Sequence, residues 1–441
     1  MKTNMTGLRY LLSGLSLVIT FNVMSFANNV VPGPKQDHPV LLKGGTVYTV
    51  SGSILPDSDV LFDKGRITQI GTNLSAPQGT EVIDVTGQNV YPGLIDGQTS
   101  IGLVEIGAIR ATNDVTEIGD DNPDVLAMHA YNPDSDIIPT IRFNGVTTAL
   151  VVPGGSVICG RSSLMNLDGW TREDATEKPE VALHINWPQA GIARGWWVQA
   201  TPEEQKKQAE ENKAKIRRLF NDARAYYVAK AANPNIDKDS HWEAMLPVFT
   251  GELPVFINAD DYRQIEDAVA FAREYKLRMV LVSGKEAWKL TDLLKSNNIP
   301  VVCSPTFDLP MRQDDDYDQP YRLPKLLSDA GIKFCFATFG ASGSRNLPFY
   351  AGQAVAYGLS KENAVRALTL SPAEIMGVSK DVGSIEIGKK ATLVVSRGDI
   401  LDPMTQKVSR VFIEGKTVNL DNRHAQLYRK YQAKHWSPAG R

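Results

Sequence analysis

From Val40 to Val90 apolar and polar residues alternate in short runs: "PVLLKGGTVYTV", "SDVLFDKGRITQIG" and "TEVIDVTGQNV". A period of two marks strands with one buried face. Gly44-Gly45, Asp63-Lys64-Gly65 and Thr86-Gly87 supply the turns between them. A small β-sandwich is expected here. From Tyr91 the pattern changes to short, wholly apolar runs separated by helical stretches. The candidate strands are Leu94–Asp96, Thr147–Val152, Val181–Ile185, Val255–Asn258, Arg278–Val282, Pro300–Cys303 and Lys333–Thr338. Helices are expected between them, at Tyr262–Tyr275, Glu286–Ser296 and Lys325–Ala330 among others. Repeated strand-then-helix units over about 280 residues predict an α/β fold with a parallel sheet, a TIM-like (β/α)8 barrel. Pro202–Lys230 reads as one long helix with a solvated, charged face and proline in its first turn. After Gly377 the alternation returns in "SIEIGKKATLVVSRG" and "SRVFIEGKTVNL", with Gly388 and Gly415 at turns. The sheet begun before the barrel is therefore expected to be completed after it.

The first residues follow another pattern. Lys2 and Arg9 precede a mostly apolar stretch, Leu11 to Phe26, and "SFA" at Ser25–Ala27 offers small residues where a signal peptidase reads. A secretory signal peptide cut after Ala27 is expected, because the apolar core is shorter than the ~20 residues of a spanning helix. The expected organisation is a signal peptide at 1–27, sandwich at 28–90, barrel at 91–376, sandwich again at 377–420, and a helix and tail at 421–441. The product would be exported, periplasmic or secreted, and free of the membrane after cleavage. A net charge of −3 over 441 residues argues against nucleic acid as a partner. The three cysteines, Cys159, Cys303 and Cys335, are an odd number and make no disulfide framework. Cys303 in "PVVCSP" and Cys335 in "KFCFATF" read as buried thiols.

Two stretches carry a resemblance. "GQNVYPGLIDG" is similar to the lead-in to the first barrel strand of the amidohydrolase superfamily, in its imidazolonepropionase-like and prolidase-like branch. "RNLPFYAGQAVAYGLSKENAVRALTLSPAEIMGVSKDVGSIEIGKKATLVV" resembles the C-terminal signature of the same family over about fifty residues. The resemblance runs from about Val40 to Leu420. It implies a barrel with a sandwich built from both chain ends, and a hydrolase acting on carbon–nitrogen bonds. It also implies zinc or another divalent metal at the C-terminal mouth of the barrel. Such a metal lowers the pKa of a bound water and so makes the attacking hydroxide.

The ligand positions that the resemblance implies do not hold ligands. The His-x-His pair of the first strand, two side chains on one face, falls on Gln98 and Ser100. The histidines of the fifth and sixth strands fall on Asn258 and Ser283, and the aspartate of the eighth on Phe339. The strand that often carries a metal-bridging lysine offers His184. Amide and hydroxyl oxygens are weak ligands for zinc, so no metal cofactor is expected. The other histidines, His38, His129, His241, His424 and His435, lie away from this set or at loop and helix edges. Two acidic segments, "NDVTEIGDDNPD" and "RQDDDYDQ", follow barrel strands without calcium-loop spacing and read as solvated loops. Trp196-Trp197 are candidates for a pocket wall or for ordinary packing.

These residues point to an exported protein of amidohydrolase type with a degenerate metal site. The expected role is a non-catalytic one, with a small polar molecule or peptide bound by Gln98, Ser100, His184, Asn258, Ser283 and Phe339. Expected associations are a homodimer or a complex with an active relative. The alternative is a hydrolase of carbon–nitrogen bonds with a metal-free site, in which His184 or Asp96 acts as base.

Overall fold

The structure, a computed structural model, describes residues 31–155, 157–189, 191–192 and 198–436. Residues 1–27, where a signal peptide is expected, and Trp196-Trp197 lie outside the described residues. The N-terminal strands are β1 (Val40–Tyr48), β2 (Ile54–Asp63), β3 (Arg66–Gly71), β4 (Glu81–Asp84) and β5 (Asn89–Pro92). The barrel strands are β6 (Leu94–Thr99), β7 (Val146–Val151), β8 (Ile158–Asn166), β9 (Thr176–Asn186), β10 (Val255–Ala259), β11 (Met279–Ser283), β12 (Val301–Cys303) and β13 (Phe334–Phe336). The C-terminal strands are β14 (Leu393–Ser396), β15 (Val408–Ile413) and β16 (Lys416–Thr417).

The first sheet joins the two ends of the chain, in the order β16-β15-β14-β5-β1-β2-β3, with β4 also paired to β1. The junction is the antiparallel pairing of β14 with β5, where Val90 faces Val395 and Tyr91 faces Val394. One face of this sheet buries Val47, Val60, Phe62, Val90, Leu393 and Phe412 together. The sheet begun before the barrel is thus completed after it.

The second sheet runs in sequence order from β6 to β13. Its strands show why they read as apolar throughout. Ile95, Leu150, Leu164, Ala182, Phe256, Val280, Val302 and Cys335 share an inner cluster. Their neighbours Leu94, Ala149, Leu183, Val255, Leu281, Val301 and Phe334 face outward with helix residues such as Ile265, Val269 and Phe271. Both faces are covered, so both sets are hydrophobic. Ala373, Ile375, Met376 and Val378 join the inner cluster. Cys303 and Cys335 are buried thiols, as expected, in the outer and the inner cluster respectively.

The architecture is the expected TIM-like barrel with a composite sheet, with one departure. β8 pairs antiparallel with both β7 and β9, so no helix crosses between those three strands. The remaining strands are parallel to their neighbours. The sequence "ICGRSSLMN" was not among the expected strands because Gly160, Arg161, Ser162 and Ser163 break the apolar run. Expected helices appear at Tyr262–Glu274 and Pro202–Ala232, the latter opened by a capping box between Thr201 and Glu204. The helix expected from Lys325 begins earlier, at Gln319, with Pro320 near its start and Pro324 inside it.

Closure of the barrel falls to Asp96. Its carboxylate accepts the backbone N–H of Thr338 at 3.1 Å, the Thr338 hydroxyl at 2.5 Å and the N–H of Gln98 at 3.3 Å. The Gln98 carbonyl in turn accepts the N–H groups of Thr338 and Phe339. Gly97 permits the approach, since a Cβ there would stand 2.7 Å from the Phe336 carbonyl and 2.8 Å from the Cys335 sulfur. Burial outweighs the hydrogen bonds from Thr338 and Ser344 and raises the Asp96 pKa to about 6.

Losing this carboxylate leaves several buried donors unpaired at about 1–3 kcal/mol each. Asp96→Ala is expected to cost about 3 kcal/mol or more in urea denaturation, and Thr338→Val about 2 kcal/mol. The native state holds the Asp96 proton more tightly than the unfolded chain, whose aspartates titrate near ~3.9. The contribution of this group to stability is therefore complete below that pH and is lost as the pH rises through about 6. Asp96→Asn should flatten the stability profile between these limits, as followed by denaturation at a series of pH values.

Candidate functional site

Loops that follow barrel strands gather at one end of the barrel. There the structure encloses a cavity of about 140 Å³. Gln98, Ser100, His184, Asn258 and Phe339 all line it. Ser283 does not: it is buried at the end of β11 with a φ of 69°, and Val282 lines the cavity in its stead. The left-handed turn at Ser283 and Gly284 takes the chain out of the strand one residue before the lining would need it.

Sequence reasoning missed Asn186, Cys159 and the Val152–Gly154 segment, which also line it, along with Thr99, Val115, Ile185 and Phe256. Asn186 stands two residues beyond His184 on β9, so a period of two from His184 finds it. Cys159 comes from the unexpected strand β8. Asn186 donates to the Gly155 carbonyl at 2.9 Å and to the Cys159 sulfur at 3.3 Å, while its own carbonyl accepts from Asn258 at 3.3 Å. This Asn186–Asn258 pair separates the inner cavity from an outer one of about 350 Å³, lined by Trp187, Gln189, Asn212 and Asp260 among others. Gln264 braces that outer wall, donating to the Trp187 carbonyl at 2.6 Å and accepting from the Asp260 N–H at 2.8 Å.

Two polar atoms of the inner cavity are buried with no partner: Gln98 Oε1 and His184 Nε2. His184 is 5 % exposed and its ring lies 5.1 Å from that of Phe256. Burial lowers its pKa to about 3, so the imidazole is neutral at physiological pH. Burial likewise pushes the Cys159 thiol up to about 12. Asp96 is wholly buried, bound to Thr338, and is not part of the cavity wall. It is a barrel clasp rather than a base facing a substrate. The cavity is therefore lined by amides, hydroxyls, a thiol and one neutral imidazole, together with apolar side chains such as Val152, Ile185, Phe256 and Phe339.

The residues present do not suit a divalent metal. Among the described residues no three histidine, cysteine, aspartate or glutamate side chains are grouped to hold one. Of the mouth donors only His184 is an ordinary zinc ligand in its present form, and a catalytic zinc needs about three. Two mouth positions nonetheless keep unusual backbones. Phe339 has a φ of 60° and Ser283 a φ of 69°. Such conformations cost about 1–3 kcal/mol each for a residue with a side chain and persist only where the surroundings impose them.

Several acids of the two acidic segments are paired internally. Lys215 of the 202–232 helix reaches both Asp120 and Asp121 at 3.2 Å, and His241 lies 3.4 Å from Asp124. In the second segment Asp315 accepts the Arg312 N–H, and Arg312 bridges Asp261 and Glu286 at 2.6 and 2.5 Å. Burial opposes the Glu286 charge. Hydrogen bonds from Arg312, Lys289 and the Tyr262 N–H outweigh it and bring the pKa down to about 2. The pairs anchor the loop after β12 to the loops after β10 and β11.

Two outcomes are expected. In NMR spectra of the protein labelled at histidine, His184 should stay neutral from pH 5 to pH 9, and a midpoint near ~6.5 would contradict its burial. Glu286 contributes stability that is present above its unfolded pKa near ~4.3 and is lost as the pH falls through about 2. Arg312→Ala should reduce that acid-side dependence, leaving the part due to Lys289 and the Tyr262 N–H, and speed proteolytic cleavage within residues 304–318.

Comparison with known proteins places this geometry. Residues 250–418 match the model of the amidohydrolase family. The chain is 20 % identical over 440 residues to the amidohydrolase tasK of Hapsidospora irregularis, covering 92 % of this chain and 44 % of that protein. It thus spans less than half the length of that relative. A 57-residue stretch is 46 % identical to the dihydroorotase of Citrifermentans bemidjiense, 13 % of each chain. The crystal structure of an amidohydrolase from Thermotoga maritima MSB8 superposes with a TM-score of 0.76 at 25 % identity, over 86 % of this chain and 99 % of that one. The matched C-terminal region and the superposed fold both make this chain similar to amidohydrolases.

Proposed function

We propose that this protein is a non-hydrolytic member of the amidohydrolase family that binds a small, neutral, polar molecule or peptide end in the barrel mouth. The observation that carries the reading is a pair of buried, unpartnered polar atoms, Gln98 Oε1 and His184 Nε2, on two side chains that line one cavity. A buried polar group without a partner costs about 1–3 kcal/mol. A ligand that supplies a hydrogen-bond donor to Gln98 and a partner to His184 recovers that penalty. Asn258, Asn186 and Ser100 add further amide and hydroxyl groups around it. At about 140 Å³ the inner cavity admits only a head group. The bulk of a larger ligand would extend past the Asn186–Asn258 pair into the outer cavity.

A metal-free hydrolase is the second reading, favoured by His184 lying in the cavity wall. The environment of His184 weighs against it. A general base works best with a pKa near the working pH, whereas burial holds His184 at about 3. Water attack on an amide would then proceed without metal activation and with a very weak base.

The protein is expected to carry well under one zinc per chain by elemental mass spectrometry, with or without zinc in the growth medium. It should bind one or more of a set of dipeptides and cyclic amides in calorimetry and leave all of them intact. Asn258→Ala should weaken that binding about tenfold, the loss of one or two hydrogen bonds. Stoichiometric zinc together with turnover would overturn the proposal. Turnover without metal that disappears in His184→Gln would establish the second reading in its place. The proposal includes export, supported by the Lys2–Ala27 pattern. Sequencing of the mature protein should begin at Asn28, and a product that begins at Met1 would refute this part.

A further inference from the structure

A second cavity lies away from the barrel mouth. It is a groove of about 860 Å³ bordered by the arm at 32–36, the turn between β2 and β3, the loop at 169–174, and the C-terminal sheet at 414–416. The volume lies within the range of about 300–1,000 Å³ common to small-molecule sites. Its walls come from distant parts of the chain, and each is fixed. The Gly33 N–H is held by the Asp168 carboxylate, which also takes the Arg142 guanidinium at 2.7 Å in a buried pair. Gln36 accepts the Gly65 N–H at 2.7 Å and donates to the Phe62 carbonyl. The Gly65 carbonyl accepts from Ala391, whose own carbonyl accepts from Gly415. These bonds tie the arm, the β2–β3 turn and the C-terminal sheet together around the groove.

Its charge is one-sided. Five of its lining residues are cationic and two acidic. Lys390 is balanced by Glu177 and Glu414, and Arg66 by Asp381. Lys35, Lys64 and Lys416 make no ion pair among the described residues. Beside them Trp170 leaves 65 % of its surface in solvent, an unusual state for an indole on a protein whose net charge is −3. Unpaired cations recognise carboxylate or phosphate, and an exposed aromatic face stacks on a flat ring.

We infer that this groove is a second binding site, for a small ring compound bearing a carboxylate or phosphate: the ring lies on Trp170 and the anion is held by Lys35, Lys64 and Lys416. A saccharide and a nucleotide both offer this chemistry.

The test is calorimetric titration of the purified protein at low salt with galacturonate, glucose 6-phosphate, AMP, inorganic phosphate and glucose. The ring-bearing anions should bind at least about tenfold more tightly than phosphate or glucose. Preference for galacturonate or glucose 6-phosphate identifies a saccharide, and preference for AMP a nucleotide. Trp170→Ala and the combined Lys35→Ala, Lys64→Ala, Lys416→Ala variant should each weaken binding about tenfold, with thermal midpoints like the wild type's. Should the triple variant melt early, the single Lys→Gln variants, each about threefold weaker, replace it. The inference is overturned if no ring-bearing anion binds, if phosphate binds as well as they do, or if the variants bind like the wild type.

Discussion

A barrel exists only if its last strand finds its first, and in this protein the meeting rests on the carboxylate of Asp96. The partner strand β13 is three residues long, too short for a ladder to secure closure by itself. Asp96 reaches a residue 242 positions away, taking both the N–H and the hydroxyl of Thr338. The same contact sets the mouth. Thr338 leads directly into Phe339, whose N–H returns to the Gln98 carbonyl. The floor of the cavity and the closure of the fold are thus one hydrogen-bonded unit. A charged group wholly removed from water is ordinarily a liability. Here the donors gathered around it, together with its raised pKa, make it tolerable.

Above that clasp the mouth offers Gln98, Ser100, Asn258 and a hydrophobic Phe339. Ser283, at the end of β11, and Phe339, just after β13, hold left-handed backbones. Amides both donate and accept, so an amide-lined cavity discriminates by pattern and shape rather than by charge. Such a site suits recognition of neutral polar groups.

Much of the fold was legible because its strands obey simple periods. Strands covered on both faces are continuous apolar runs, and seven of them stood out. β8 did not, because Gly160, Arg161 and two serines interrupt it and because an antiparallel strand breaks the β-then-α rhythm. In the mouth, the family resemblance pointed to Gln98, Ser100, His184, Asn258 and Phe339, which line the cavity, and to Ser283, which does not, since a left-handed residue turns the chain out of β11 there. Asp96 looked like a candidate base, and only the three-dimensional closure shows it turned to Thr338. The basic groove was invisible in one dimension: no two of its walls are contiguous, and a lysine at Lys35, Lys64 or Lys416 is individually unremarkable on a protein surface.

The reversed strand β8 links the two ends of the molecule. It begins beside Cys159, in the wall of the mouth cavity, and after nine residues leads through Asp168 to Trp170, in the wall of the basic groove. A strand of that length spans about 30 Å. The two cavities therefore stand about a strand length apart, too far for one small ligand to occupy both.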